Sequence, residues 1–311
     1  MGIARGITLA AGVALVVGAG AFWLLSAPQK LEAATIAKLT PGDAAKGERI
    51  FWAGGCASCH AAAGAEGDAL LQLAGGRELK TPFGTFVPPN ISPDQNDGIG
   101  SWSAEDFANA MLKGVSPSGE HFYPAFPYAS YARMTPEDVS DLFAYVKTLP
   151  PVQGRAAEND LSFPYSFRRG VGLWKRLNLS AEPVAALPND AEPQVMAGRY
   201  LVEGPGHCGE CHTPRDAMGG TDKSQWLAGA VAAEGGGVVP NITPEGGIGE
   251  WSAGDIENYL ETGFTPDFDS VGGTMVDVQK NMAKLTGEDR AAIAAYLKAI
   301  PGHANGYPAR R

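Results

Sequence analysis

The sequence has no excess of basic residues, no alternating apolar pattern that would indicate β-strands, and only four cysteines. Its 311 residues include 24 Lys and Arg against 34 Asp and Glu, for a net charge of −10. A nucleic-acid partner would normally meet a basic face, so no nucleic-acid binding is predicted. The 41 glycines and 23 prolines favour compact, loop-rich domains rather than long regular elements. With no alternating apolar pattern, no strand is predicted and the fold class is all-α.

All four cysteines fall in two C-x-x-C-H motifs. These are Cys56-Ala-Ser-Cys59-His60 and Cys208-Gly-Glu-Cys211-His212. C-x-x-C-H is the attachment signature of c-type haem. Thiols three residues apart fall on one side of a helical turn, where each can form a thioether with a haem vinyl group. The adjoining His is then placed under the iron as its proximal ligand. The sequence therefore predicts two covalently bound haem c groups, with His60 and His212 on the irons.

Three other uses of a Cys pair fit less well. A zinc site would require the two pairs to converge, yet each already has its own His and the motifs lie far apart in the chain. A redox dithiol would sit in a thioredoxin-like βαβ pattern, and neither motif has one around it. Structural disulfides would not require a His after the second Cys twice.

The N-terminus carries an uncharged apolar run, Ile7 to Leu25, long enough to cross a membrane as a helix. Arg5 before it would keep the N-terminus cytoplasmic, and Trp23 would lie near the outer interface. The alternative is a cleaved signal peptide, but the A-x-A site ending at Ala21 would leave Phe22 at a mature N-terminus. We favour a retained inner-membrane anchor; both alternatives deliver the body to the periplasm.

The chain repeats itself well beyond the Cys motifs. P-N-I-[ST]-P, G-I-G-x-W-S and a Pro-bounded last helix each occur twice. The predicted division is an anchor and tether (1–40), domain 1 (41–151), an interdomain strap (152–190), domain 2 (191–303) and a tail (304–311). Helices are predicted over 43–53 and 192–202, before the two motifs, and the strap is expected to be extended. Predicted helix N-caps are Ser103, Thr135, Ser252 and Thr286, the two Thr with Asp138 and Asp289 three residues on, a short relative of the capping box.

Methionine as the sixth ligand gives a haem suited to electron transfer. In domain 2, Met275 lies in a loop that can fold over the open haem face, and is favoured over Met282. In domain 1, Met134 is favoured, with His121 as the alternative ligand. Met111, at apolar spacing on a middle helix, is expected in the core.

These motifs resemble those of the class I cytochromes c, and more closely the two-haem cytochrome subunits and carriers of bacterial periplasmic dehydrogenases. The resemblance covers residues 41 to 302. It implies two tandem haem-wrapping domains and places Phe126 where many relatives have the ligand Met, which leaves Met134 as the substitute. It also implies that the carbonyl of Pro214 orients the proximal His, with no counterpart in the first copy. Four further residues would line the haem edge or bind propionates, or would simply be core: Asn90, Trp102, Asn241 and Trp251.

The function predicted is relay of single electrons between periplasmic redox partners, without substrate chemistry. The donor would be a dehydrogenase or a quinol-oxidising complex, and the acceptor a soluble carrier or terminal oxidase. The alternatives are a haem sensor and a haem enzyme, in particular a peroxidase with an open distal site on haem 1. Thiosulfate-oxidising cytochromes use a Cys ligand, and no fifth Cys exists here.

Overall fold

The computed structural model of the chain describes residues 2–233 and 236–307, without the side chains of residues 2–6. Met1, the side chain of Arg5 and residues 308–311 of the predicted tail lie outside it. The helices in the described part are α1 (Gly2–Leu25), α2 (Ala33–Ile36), α3 (Ala44–Ala53), α4 (Cys56–His60), α5 (Ala104–Lys113), α6 (Tyr128–Tyr131), α7 (Pro136–Val146), α8 (Val171–Asn178), α9 (Pro193–Glu203), α10 (Gly209–His212), α11 (Ala253–Thr262), α12 (Met275–Met282) and α13 (Gly287–Ala299).

In the described residues five short strands accompany these helices, none of them long enough to form an alternating run. They are β1 (Leu79–Thr81), β2 (Gly84–Phe86), β3 (Asp160–Leu161), β4 (Ala230–Val231) and β5 (Val238–Val239). The first three form an antiparallel sheet in the order β1-β2-β3, and β4 pairs with β5. Strands of two or three residues are too short to show an alternating pattern, so the sequence gives no periodic signal for them. The fold is mainly helical.

Each half of the chain is built on a crossing of its first and last helices, α3 on α7 and α9 on α13. A glycine lies at each crossing. A Cβ on Gly47 would sit 1.9 Å from the carbonyl oxygen of Asp141, and one on Gly198 would sit 1.9 Å from that of Ala292. Only glycine allows the backbones to approach so closely. The repeated crossing fixes the position of the C-x-x-C-H segment that follows α3 and α9.

The helix starts agree with the predicted caps. Ser103, Thr135, Ser252 and Thr286 each accept a hydrogen bond from the backbone N–H three residues on. The reciprocal bond of a full capping box, however, is made by Asp106 and Asp255 in the middle helices. Asp138 and Asp289, for which a related box was predicted, instead bind side chains of the other half of the chain.

The two halves face each other across mirrored contacts. Arg49 and Tyr200 each follow a crossing glycine by two residues; Arg49 binds Asp289 at 2.6 Å, and the Tyr200 hydroxyl donates to Asp138. A second mirrored pair joins the motifs themselves. Ser58 and Glu210, each two residues after a first cysteine, accept hydrogen bonds from Asn281 at 2.6 Å and Ser130 at 2.8 Å. Such reciprocal pairing is the hallmark of a two-fold interface.

The segments outside the two halves are more ordered than the sequence suggested. The strap (152–190) was expected to be extended, but it contains α8, and its β3 pairs with β2. The tether packs on the first half, since Leu31 is buried and its N–H donates to the Asn109 side chain at 2.8 Å. The described start of the tail joins the second half through the N–H of Gly306, bonded to the Ala228 carbonyl at 2.8 Å.

Helix α1 is long and apolar enough to cross a membrane. Its segment Ile7–Leu25 has 19 residues and a mean hydropathy of 2.1, and none of it is buried. Length and composition alone would also fit a signal sequence near the N-terminus.

Candidate haem sites

Each motif histidine is held by a proline carbonyl from a later loop. The Nδ1 atom of His60 lies 2.8 Å from the carbonyl oxygen of Pro89, and Nδ1 of His212 lies 2.8 Å from that of Pro240. A carbonyl can only accept, so Nδ1 carries the proton and Nε2 is the nitrogen that can bind iron. Both copies therefore present the same atom in the same way.

The predicted role of Pro214 is wrong. Its carbonyl accepts from the backbone N–H of Asp222 at 2.8 Å, and Pro240 holds the histidine instead. The bond thought to be missing in domain 1 is present there, to Pro89. In both copies the proline directly precedes the Asn of the P-N-I-[ST]-P motif, which is the signal by which it could have been found.

Burial shifts the pKa values of the motif side chains towards their neutral forms. It lowers the pKa of His60 to about 4, although the bond to Pro89 opposes the shift, and it lowers the pKa of His212 in the same way. Burial next to the second thiol of the motif raises the pKa of Cys56, and likewise of Cys208, to about 12. Neutral imidazole is the form that binds iron. In the described part of the chain, no three His, Cys, Asp or Glu side chains gather as a metal site of another kind.

The two asparagines predicted near the haem are committed to the backbone. The buried Asn90 donates to the carbonyls of Val152 and Gly154 at 2.7 and 2.8 Å. Asn241, also buried, donates to the carbonyl of His303 at 2.7 Å. Their amides therefore tie the histidine-holding loops to the chain beyond the last helix, which favours the structural alternative over propionate binding. Trp102 and Trp251 are half-buried against the core.

The candidate sixth ligands occupy different places in the two halves. Val115 bridges to His121, and Phe264 to Ser270, in equivalent turns. Met275 comes five residues after this turn, at the start of α12, and the residue in the same place in the first half is Phe126. Met134 instead corresponds to Leu285, since each directly precedes a capping threonine.

The surroundings of the methionines differ accordingly. Met134 is buried, and its Cγ would lie 3.9 Å from a Cβ on Gly204 in the second half. Met275 is half-buried against the core. Met111 and Met282 are both buried core residues, as expected for Met111.

His121, the alternative ligand for haem 1, lies elsewhere. Its Nε2 atom is 2.8 Å from the carbonyl oxygen of Ser26, just beyond the end of α1, and the ring is buried there. In this structure His121 therefore binds the N-terminal segment, which favours Met134 over His121 as the ligand of haem 1.

The two motifs meet at their N-terminal ends. The carbonyl oxygen of Gly54, two residues before Cys56, lies 3.2 Å from Nε2 of His207, the residue directly before Cys208. The Tyr131 hydroxyl donates to the same carbonyl at 3.4 Å. A hydrogen bond therefore connects the two attachment segments, and His207 is half-buried at this contact.

The chain contains two C-x-x-C-H helices, each packed next to a crossing of first and last helices. In each of them the histidine is oriented for iron binding. These features define a c-type cytochrome with two haem sites. The cytochrome c family model matches residues 44–150. The chain is 52% identical over 297 residues to the "Diheme cytochrome c-type" protein of Cereibacter sphaeroides, covering 96% of this chain and 98% of that protein. The chain therefore belongs to the cytochrome c family, among its dihaem members, and carries two covalently bound haem c groups.

Subunits of dehydrogenases are also similar to this chain. It is 36% identical over 263 residues to the fructose dehydrogenase cytochrome subunit of Gluconobacter japonicus, covering 83% of this chain. It is 38% identical over 270 residues to the alcohol dehydrogenase (quinone) cytochrome c subunit of Gluconacetobacter polyoxogenes, covering 82% of this chain. The chain spans only about half the length of these subunits, 53% and 55%. The protein is an electron-transfer cytochrome, and the peroxidase alternative is not supported.

Proposed function

We propose that this dihaem cytochrome takes single electrons from a periplasmic dehydrogenase or a quinol-oxidising complex and passes them to a soluble carrier or terminal oxidase. The names of the dehydrogenase subunits support this class of donor. The observation that carries the proposal is the contact between the attachment segments through Gly54 and His207. Haems attached to these two touching segments could exchange an electron within the molecule. One haem could then accept electrons from the donor while the other passes them to the acceptor.

His60 and Met134 would hold the iron in domain 1 (41–151), and His212 and Met275 would hold it in domain 2 (191–303). Haem with His and Met ligands is low-spin and suited to outer-sphere electron transfer. The chain supplies the orientation of each His, through Pro89 and Pro240, and an apolar wall around each group. Asn90 and Asn241 support this arrangement by holding the loops that carry those prolines.

Helix α1 is retained as a single anchor in the inner membrane, with both haem domains in the periplasm. The length and apolar composition of Ile7–Leu25 support this, as do the contacts that the end of α1 makes with the strap. Detergent should then be needed to extract the native protein. A product that begins at Phe22 and dissolves in buffer would overturn the anchor.

The donor can be identified in isolated membranes. Membranes with the chain and membranes from a deletion strain are supplied in turn with an alcohol, a sugar, an aldehyde, a sulfur compound or a quinol, and haem c reduction is followed by absorbance. We expect one substrate class to reduce this cytochrome, and its electrons to reach the next carrier only when the chain is present. Equal reduction of the next carrier in both membranes would contradict a relay role.

A further inference from the structure

We propose that the face of the strap formed by Phe163, Phe167, Arg168, Arg176 and Leu177, the strap face, lies on the phospholipid headgroups of the membrane that α1 enters. It would hold the haem domains in one orientation against the bilayer. This inference rests on the proposed anchor and goes beyond it, because an anchor alone would let the domains swing.

The first step is that the end of α1 is clamped to the strap. Arg169 donates to the carbonyl oxygen of Trp23 at 2.7 Å, and Arg176 to that of Leu25 at 2.5 Å. Arg169 also donates to the Ser26 hydroxyl at 2.9 Å. Cations at a helix C-terminus satisfy its last carbonyls and oppose its dipole. The strap is therefore fixed to the point where α1 ends.

Close packing makes this junction rigid. The rings of Phe22 and Phe167 stack with their centroids 5.8 Å apart, and the Arg169 guanidinium lies 4.2 Å from the centre of the Trp23 ring. Ser26 is fully buried against Gly172, where a Cβ would lie 2.3 Å from the Ser26 carbonyl oxygen. No flexible segment separates the helix from the strap.

The second step concerns depth. The 19 residues of Ile7–Leu25 span about 28 Å at the helical rise of about 1.5 Å per residue, close to the hydrocarbon thickness of about 30 Å. Leu25 therefore ends near the edge of the hydrocarbon. Whatever binds its carbonyl lies at the level of the headgroups.

The third step is the chemistry of the strap face. Its apolar side chains are exposed although large: Phe163 by 85%, Leu177 by 77% and Phe167 by 53%. Arg168 and Arg176 directly neighbour Phe167 and Leu177 in the sequence of a chain whose net charge is −10. Each donates one hydrogen bond to a backbone carbonyl, Arg168 to His121 and Arg176 to Leu25, and has further N–H groups. Aromatic rings with arginines are the residues found at membrane interfaces, where the rings enter the headgroup layer and guanidinium groups bind phosphate. A phospholipid surface is therefore the occupant that this face fits.

The test uses the holoprotein in nanodiscs of phosphatidylethanolamine and phosphatidylglycerol. Thioether bonds occupy all four native cysteines, so one introduced cysteine is the only reactive thiol. Leu177→Cys and Phe163→Cys place it on the strap face, and Phe268→Cys is the matched control, since Phe268 is 88% exposed in the second half. Labelling with a charged, water-soluble maleimide is followed by mass and normalised to each unfolded variant.

We expect Leu177→Cys and Phe163→Cys to react with the maleimide at least about tenfold more slowly than Phe268→Cys, because lipid excludes a charged reagent. Equal rates, with the protein still bound to the nanodiscs, would overturn the docking and leave the anchor standing. Protein that does not co-elute with nanodiscs would overturn both. Slow labelling that persists in nanodisc-free protein digested after Leu25 would show that protein, not lipid, covers the face, and would also overturn the proposal.

Discussion

At the scale of single residues, the two haem sites share their proximal side and differ on the other. His60 and His212 are each bound through Nδ1 to a proline carbonyl at 2.8 Å. The distal residues diverge, with Met275 in one half and Phe126 at the corresponding place in the other. The sixth ligand proposed for haem 1, Met134, lies at another position of domain 1.

Loss of a sixth ligand should be visible for each haem separately. We expect Met275→Leu to convert one haem of the reduced protein to a high-spin form that binds carbon monoxide, and Met134→Leu to convert the other. Absorption spectra before and after carbon monoxide measure both. Met282→Leu and Met111→Leu replace buried core methionines and should leave two low-spin haems. A low-spin haem 1 in Met134→Leu would mean that another residue binds it.

Because Asp289 pairs with Arg49 at the interface, we expect the free energy of unfolding to fall at acid pH. Burial raises the pKa of this carboxyl, but the hydrogen bonds and charge of Arg49 outweigh that effect and hold the pKa below its ordinary value. A carboxyl with a depressed pKa stabilises the folded state above the unfolded pKa and loses that contribution as pH falls below it. Denaturant unfolding between pH 6 and about pH 3 should therefore show a smaller acid loss for Asp289→Asn than for the native chain. An unchanged pH profile would show that the pair contributes nothing.

At the scale of elements, the crossing of first and last helices positions each motif. The sequence predicted the helices before the motifs, α3 and α9, and the caps of α5, α7, α11 and α13, because capping depends on residues three apart in the chain. It could not reveal the partners of Asp138 and Asp289, which come from the other half. Those contacts exist only after the chain has folded, so local patterns carry no signal for them.

Adding a side chain to the glycine at either helix crossing should destabilise the fold. Gly47→Ala or Gly198→Ala would place a Cβ 1.9 Å from a backbone oxygen, and we expect each to cost at least about 1–3 kcal/mol of unfolding free energy. Gly254→Ala in α11 is the control, because its nearest neighbour would be 3.7 Å away; it should be neutral or stabilising by up to about 1 kcal/mol. Urea unfolding of the holoprotein measures all three. Equal stability of Gly47→Ala and the control would mean that the helices can separate freely.

At the scale of the whole molecule, the mirrored contacts set how the two haem sites face each other. Arg49 with Asp289 and Tyr200 with Asp138 bind first helices to last helices across the interface. Ser58 and Glu210 bring the motifs into the same interface. The sequence predicted the duplication and the two haems, but not this arrangement, because the paired residues differ in type between the copies.

Removing the mirrored contacts of Arg49 and Tyr200 should slow electron exchange between the haems. In Arg49→Met/Tyr200→Phe the interface loses hydrogen bonds to two carboxylates, at about 1–3 kcal/mol each. One-electron photoreduction, followed by the absorbance of the two haems, should show slower equilibration than in the native protein. Arg155→Met removes an exposed ion pair with Asp97 and should change neither stability nor rate. An unaltered rate in the double variant would mean that these two contacts do not influence electron exchange between the haems.

The mirrored interface is that of a symmetric dimer whose two subunits have been joined in one chain. In a true homodimer, any change to one subunit is imposed on both. Here the first half can keep Phe126 and the second Met275, and buried Lys175 can cap α5 where Gln279 caps α11. Because the two halves are joined in one chain, each haem site can change without the other, so the two haems can differ in reduction potential, as two sites made identical by symmetry cannot.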